Sequence, residues 1–278
     1  MVDLHTHSTA SDGLLTPTEL VEYAASLGVT ALALTDHDTV AGVAEAAAAG
    51  ANHGVTVIPG VELEADFDLG ALHILGLGLT KLDARLESAL DEVRAERTRR
   101  NLGMLARLAD LGVHAGYDEL TSYAHGGVVG RPHLAQLLVD RGVAVSYQDA
   151  FDRFLADGAA AHEPRRAPSL AHCINLIHAA GGKAVVAHPR TLWLSSWRKL
   201  TDAFTRWKAM GLDGVEAYHS GAGRDSAYRY AEIARRLDLL VTAGSDYHGQ
   251  WGRPGYTGTG MEIDDSFAAP FLPEAVRR

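Results

Sequence analysis

Nine positions in the chain carry side chains able to ligate divalent metal ions, at spacings that would gather them on one surface. His5 and His7 stand two apart, so a strand would point both imidazoles the same way, and Asp12 follows in Ser11-Asp12-Gly13. His37 lies in Thr35-Asp36-His37-Asp38, Glu62 in Gly60-Val61-Glu62, His73 in an apolar run and His188 in Ala187-His188-Pro189. Asp246 and His248, again two apart, close the set in Gly244-Ser245-Asp246-Tyr247-His248. Fourteen histidines against a single cysteine make imidazole and carboxylate the available donors, a mixture that suits Mn, Fe or Zn. A lone histidine such as His73 is ordinarily a hydrogen-bonded structural residue. The weight lies in nine ligands falling at or near successive apolar runs.

Those runs are the elements that must position them. Short apolar stretches at 2–4, 31–34, 55–58, 72–75, 184–187, 214–217 and 239–242 alternate with helical patterns, the mark of an α/β protein with a largely parallel sheet. Seven such strands predict a TIM-like (β/α) barrel one strand short of eight, in which active-site residues sit where strand C-termini meet their loops. Thr16-Pro17-Thr18-Glu19 reads as a capping box opening the first helix, which should end near Gly28. From residue 81 to 168 the strand pattern vanishes. Helical patterns at 83–110, 117–123, 132–141 and 147–155 replace it, predicting a helical insertion that divides the barrel into 1–80 and 169–278. Cys173 falls within a helical pattern and reads as a small buried hydrophobe; Trp193, Trp197 and Trp207, at roughly helical spacing, read as packing residues.

Composition narrows the function. Lys and Arg number 25 against 35 Asp and Glu, a formal charge of -10 that excludes a generally basic nucleic-acid binder but not a short oligonucleotide substrate beside bound cations. Hydrophobic residues at 47% and charged residues at 22% describe a soluble globular chain, and no apolar run approaches the ~18 residues that cross a bilayer. One cysteine forms no internal disulfide, and the N-terminal stretch lacks a charged leader before an apolar run. The expectation is a cytoplasmic protein without membrane association or an obligate protein partner.

Taken in order, Asp3-Leu4-His5-Thr6-His7, Ser11-Asp12-Gly13, Thr35-Asp36-His37-Asp38, Gly60-Val61-Glu62, Ala187-His188-Pro189 and Gly244-Ser245-Asp246-Tyr247-His248 resemble the polymerase-and-histidinol-phosphatase (PHP) superfamily of metal-dependent phosphoesterases. Closer still, the chain looks like the nucleotide-phosphatase branch with a helical insertion, whose members remove a phosphate from nucleoside 3',5'-bisphosphates or trim RNA ends. The resemblance implies a distorted seven-stranded barrel and two to three divalent ions, Mn favoured. It implies one ion on His5, His7 and Asp246, with Glu62 bridging to a second on His73 and His188, and a third on Asp12, His37 and His248. Asp12 stands where many relatives place histidine. Water activated by the bridged ions would then hydrolyse a phosphate monoester, and no serine or cysteine nucleophile is required.

Substrate contacts are expected from the insertion, where Gly130-Arg131-Pro132-His133 opens a helix beside which an arginine favours phosphate. In the resembled branch an arginine here holds the second, non-scissile phosphate together with a lysine before a glycine. This chain reads Leu155-Ala156-Asp157-Gly158 instead, so either Arg165 or Arg166 takes over or that phosphate is held more weakly. Arg190 and His219 are further candidate contacts to phosphate or leaving group, although His219 could equally be a surface histidine. The leading expectation is a small-nucleotide phosphatase. A 5'-to-3' exonuclease on short oligonucleotides is the alternative, followed by phosphatases of histidinol phosphate or a cyclic sugar phosphate. Because all nine ligand positions are competent, a catalytically silent metal-binding module is disfavoured.

Overall fold

The computed structural model describes residues 1–124, 126–164, 166–249, 252–257 and 263–272. Seven strands, β1 (Val2–Thr6), β2 (Ala31–Leu34), β3 (Thr56–Ala65), β4 (Leu72–Leu77), β5 (Lys183–Val186), β6 (Gly214–His219) and β7 (Leu240–Gly244), follow one another around a single sheet in chain order. The chain meets itself where Asp246 N–H donates to the His5 carbonyl (2.9 Å) and His7 N–H to that of Tyr247 (3.0 Å). The result is a nearly closed, distorted seven-stranded α/β barrel.

One strand departs from the largely parallel expectation. β4 runs antiparallel to both β3 and β5, following β3 through a short reversal at 66–71. That reversal also lengthens β3 well beyond the predicted 55–58: residues 56–59 pair with β2, and 60–65 pair with β4. Glu62 is therefore inside a strand rather than at its end. His73, the second residue of β4, reaches the ligand-bearing rim because its strand enters where its neighbours leave.

Helices α1 (Pro17–Ser26) and α2 (Val43–His53) cover the first strands, and α7 (Leu170–Ala179), α8 (Trp197–Ala209) and α9 (Arg224–Arg236) cover the last. The capping box at Thr16 forms as read: Glu19 N–H donates to Thr16 Oγ1 (3.2 Å) and Thr16 N–H to Glu19 Oε2 (2.9 Å). Cys173 is fully buried in the barrel core. Trp207 packs there against Phe67 and Phe204, but Trp193 and Trp197 do not join it. They are 69% and 38% exposed, because Trp193 precedes α8 on a turn and Trp197 is that helix's first residue. The packing assignment fails for Trp193, whereas Trp197 packs edge-on against Tyr230 (5.2 Å) rather than with Trp207.

Between β4 and α7 lie α3 (Ala84–Asp110), α4 (Tyr117–Ser122), α5 (Arg131–Asp140) and α6 (Tyr147–Ala150), the last continuing as a π-helical turn over Phe151–Leu155. α3 serves two cores. Leu86 and Leu90 pack into the barrel, whereas Met104, Leu105 and Leu108 join a second apolar cluster with Leu120, Leu134, Leu138 and Phe154. Among the described residues no helix is long and apolar enough to cross a membrane.

Candidate metal centre

All nine candidate ligands converge on the rim, with Glu62 at their centre. Its two oxygens divide the histidines between them. Oε1 lies 2.9 Å from His73 Nδ1 and 3.0 Å from His188 Nε2; Oε2 lies 3.1 Å from His37 Nδ1, 3.3 Å from His7 Nε2 and 3.4 Å from His5 Nε2. Asp246 Oδ1 stands 3.2 Å from both His5 Nε2 and His7 Nε2. Asp12 completes a third cluster, 3.3 Å from His248 Nε2 and 3.8 Å from His37 Nε2. Compact groupings of donor atoms recur here: His5, His7, Glu62 and Asp246; His37, Glu62 and His73; and His7, Asp12, His37 and His248.

The donor set fits divalent cations. His5 Nε2 and His7 Nε2 approach to 3.1 Å, a contact that two imidazole lone pairs make only around a shared proton or cation. Among the described residues, His7 Nδ1, His37 Nδ1 and Glu62 Oε2 are buried without a well-directed hydrogen bond, which is costly unless a ligand satisfies them. Charge points the same way. Burial alone would raise Glu62, Asp12 and Asp246, yet the surrounding imidazoles hold all three well below the usual carboxylate range. Burial alone would lower His7, but Asp246 and Glu62 raise it to about 10. His37 moves oppositely: burial pulls it to about 3 despite Glu62 and Asp12, with the charges of His7 and Arg97 adding to the fall. Positive charge is required between Asp246 and Glu62, and a divalent ion held there would supply it.

Residues behind the ligands fix their orientation. Glu216, fully buried on β6, accepts from His5 Nδ1 (3.1 Å) and from the His188 backbone N–H (2.8 Å), which turns His5 Nε2 toward the cluster. Thr191 Oγ1 stands 3.1 Å from His188 Nδ1 and donates to the Ala71 carbonyl. Asp36 gathers Ser8 and Ser11 beside Asp12, and Asp3 gathers Ser245 and Gly255 beside Asp246. Gly244 has no room for a side chain: a Cβ would come within 2.3 Å of Glu216 Oε1 and 2.4 Å of His5 Cβ. Sequence reasoning gave Glu216 no role, and the available signal was a lone carboxylate inside the apolar run 214–217. Glu216→Gln is expected to weaken metal binding by about 10- to 100-fold, measured by titration of chelator-treated protein. An unchanged affinity would leave Glu216 with a packing role alone.

The candidate substrate residues separate. His219 lines the centre: its Nδ1 accepts from Gly221 N–H (3.0 Å), which leaves Nε2 bearing the proton 3.6 Å from Asp246 Oδ2. A cavity of about 600 Å³ opens over Asp12, Asp246 and His248, walled by Tyr123, Tyr147, Phe151, Gln136 and Gln148 from the helices after β4. Pro132 and His133 line it, whereas Arg131 turns its guanidinium over the Phe151 ring (5.9 Å) and toward Asp157 (3.5 Å). Arg190 lies on the other flank, beyond His188, donating to the Gly221 carbonyl (3.1 Å). Arg165 lies outside the described residues, and Arg166 donates its backbone N–H to Glu96 (3.1 Å).

Comparison with known proteins bears on this geometry. The family model described as the PHP domain matches residues 3–156. A 5'-3' exoribonuclease of Haemophilus influenzae is 39% identical over 248 residues, 88% of this chain and 89% of the relative. A 3',5'-nucleoside bisphosphate phosphatase of Chromobacterium violaceum is 34% identical, covering 91% and 89% respectively. The solved structure of an amidohydrolase from Chromobacterium violaceum, with bound sulfate and no metal, superposes with a TM-score of 0.85 at 33% identity, covering 92% of this chain and 90% of that one.

Proposed function

Because the chain belongs to the PHP family of metal-dependent phosphoesterases, we propose that it removes phosphate from a small nucleotide monoester such as a nucleoside 3',5'-bisphosphate. The observation that carries this reading is the convergence of nine candidate ligands, Glu62 at their centre, beside a nucleotide-sized, aromatic-walled cavity that Asp12, Asp246 and His248 line. His5, His7, Glu62 and Asp246 would hold one ion, Glu62 with His73 and His188 a second, and Asp12, His37 and His248 a third, with Mn the favoured metal. When bound, the ions acidify a water molecule and screen the phosphate oxygens.

The protein's own groups do the rest. Glu62 ties the clusters together through its two oxygens, and Glu216 and Thr191 hold His5 and His188 in register. His219 presents its Nε2 proton to a phosphate or leaving-group oxygen beside Asp246. The helical insertion over 81–168 contributes Tyr123, Tyr147 and Phe151, which exclude water from the nucleoside side of the ester. A single buried thiol, Cys173, accords with action in the cytoplasm.

A second reading, 5'-to-3' cleavage of a short oligonucleotide, is favoured by the pairing of Arg131 with Asp157. A second phosphate would have to compete with that carboxylate for the guanidinium, so affinity for a bisphosphate is expected to be modest. Phosphate and nucleotide release should be measured on adenosine 3',5'-bisphosphate, AMP, histidinol phosphate and a 5'-phosphorylated tetranucleotide, with Mn and with chelator. Chelator-sensitive phosphate release from the bisphosphate is the expected result. Stepwise release of mononucleotides from the tetranucleotide, with the bisphosphate untouched, would replace the first reading by the second.

A further inference from the structure

On the flank of the centre away from the 600 Å³ cavity lies a second concavity of about 250 Å³, formed where the turn after His188 meets the starts of α8 and α9. Its walls include Arg190, Trp193, Ser195, Trp197 and Tyr230. Trp193 is 69% exposed and sits in the left-handed backbone region at φ 50°, where a bulky side chain is strained. Trp197 is held edge-on by Tyr230 (5.2 Å) and lies under the Arg229 guanidinium (5.8 Å). Lys199 Nζ contacts Ser195 Oγ at 3.1 Å. Among the described residues, none of Arg190, Lys199 and Arg229 has a carboxylate within 4.0 Å, on a chain whose formal charge is -10.

Burying aromatic area is the ordinary fate of a tryptophan, so one left outside on a wall shared with Arg190, with Arg229 over the neighbouring Trp197, calls for a ligand that is both flat and anionic. Nucleic acid bases stack on such rings while the backbone phosphates follow the cations. The concavity adjoins the metal centre through Arg190. Arg190 follows His188 by two residues and bonds to Gly221, whose N–H is bound by His219. A monoester needs a pocket on one side of the scissile phosphate only. This protein has two separate concavities near the centre, the aromatic cavity at Asp246 and His248 and the tryptophan groove that Arg190 lines.

We infer that the groove walled by Arg190, Trp193 and Trp197, with Lys199 behind Ser195, binds the strand of a single-stranded oligonucleotide that continues past the scissile phosphate, while the terminal nucleotide occupies the cavity. The inference rests on the phosphoesterase reading above and extends it to a diester. Water adds to phosphorus, the bond from phosphorus to the departing nucleoside oxygen breaks, and that oxygen takes up a proton. No other reactant is consumed. Trp193 is a strand-binding residue here and has no part in the chemistry.

The test compares binding of a 5'-phosphorylated RNA tetranucleotide with that of AMP to full-length protein in chelator, where nothing is cleaved, read by tryptophan fluorescence and by competition. The tetranucleotide should bind more tightly than AMP, and Trp193→Ala should lower that preference about 10-fold, as loss of one stacked base does. Trp193→Phe should restore most of it, and Lys199→Glu should reduce it together with its salt dependence. Equal affinity for the two ligands, or a preference unchanged in both Trp193→Ala and Lys199→Glu, overturns the groove while leaving phosphate release from mononucleotides standing. Strand binding that responds to these variants, in a protein that hydrolyses neither ligand once Mn is restored, would keep the groove and overturn the proposed reaction instead.

Discussion

Glu62→Gln is expected to lower kcat/KM by about 10³-fold or more, with a measurable loss of bound metal, in a protein that still folds. The substitution preserves shape and removes one charge. What it disrupts is the division of labour between the two oxygens, Oε1 serving His73 and His188 and Oε2 serving His5, His7 and His37. A carboxamide offers one oxygen and one N–H₂ group, so whichever half receives the nitrogen faces a donor where an anionic acceptor is required. The cluster then loses both its shared ligand and the charge that holds ions there against mutual repulsion. Metal ions contribute several kcal/mol to stabilising charge at phosphorus, and about 4 kcal/mol corresponds to the factor stated. Steady-state kinetics beside metal analysis of the purified variant checks it. A loss below about 10-fold at full metal content would mean that Glu62 does not join two ions.

The clustering of this candidate site is largely legible in the sequence alone, and the reason is local. Seven apolar runs mark the strands, and ligands placed at their ends have only the barrel rim to occupy. His5 and His7, two apart on one strand, illustrate the point: strand periodicity alone sends both imidazoles to one side. Strand direction was not legible, because an apolar run looks the same in either sense. His73 and Glu62 therefore belong to the site for a reason the sequence hid, namely that β4 enters the rim where β3 passes through it.

The residues missed are those whose role depends on partners distant in the chain. Glu216 is one carboxylate in an apolar run, and it becomes meaningful only when β6 sets it against His5, 211 residues away. Arg131 carries the local signature of a phosphate contact, and what the sequence does not report is its pairing with Asp157, which depends on how the intervening helices fold. Trp193 and Trp197 share helical spacing with Trp207, but the helix begins only at Trp197, and spacing carries no information about where a helix starts. Burial and pairing at long range are tertiary properties, whereas strand ends and histidine spacing are local ones.

Arg97→Met should destabilise the protein by about 3 to 5 kcal/mol, the usual consequence of removing one partner of a buried ion pair. Asp38 is fully buried on the loop after β2 and accepts from Arg97 on α3 through Nε (2.7 Å) and Nη2 (2.6 Å). Burial alone would lower the guanidinium, but Asp38, followed by Glu64, raises it. The same loop is fixed to the site: Asp38 N–H donates to the Glu62 carbonyl (3.0 Å), and its neighbour His37 contacts Glu62 and Asp12. Arg94 adds a bond to the Asp38 carbonyl (2.8 Å), so α3 grips this loop twice. For a chain of this size a loss of that magnitude lowers Tm by on the order of 10 °C, which calorimetry measures directly. Asp38→Asn in the Arg97→Met background should recover part of the loss, since a neutral carboxamide no longer requires a cation in a buried place. Affinity at the Asp12, His37 and His248 cluster should fall in the single variant as well, because the loop that aims His37 has lost its anchor. A Tm within about 2 °C of the parent would mean that water replaces the guanidinium at Asp38, and that α3 is held to the rim by its apolar contacts alone.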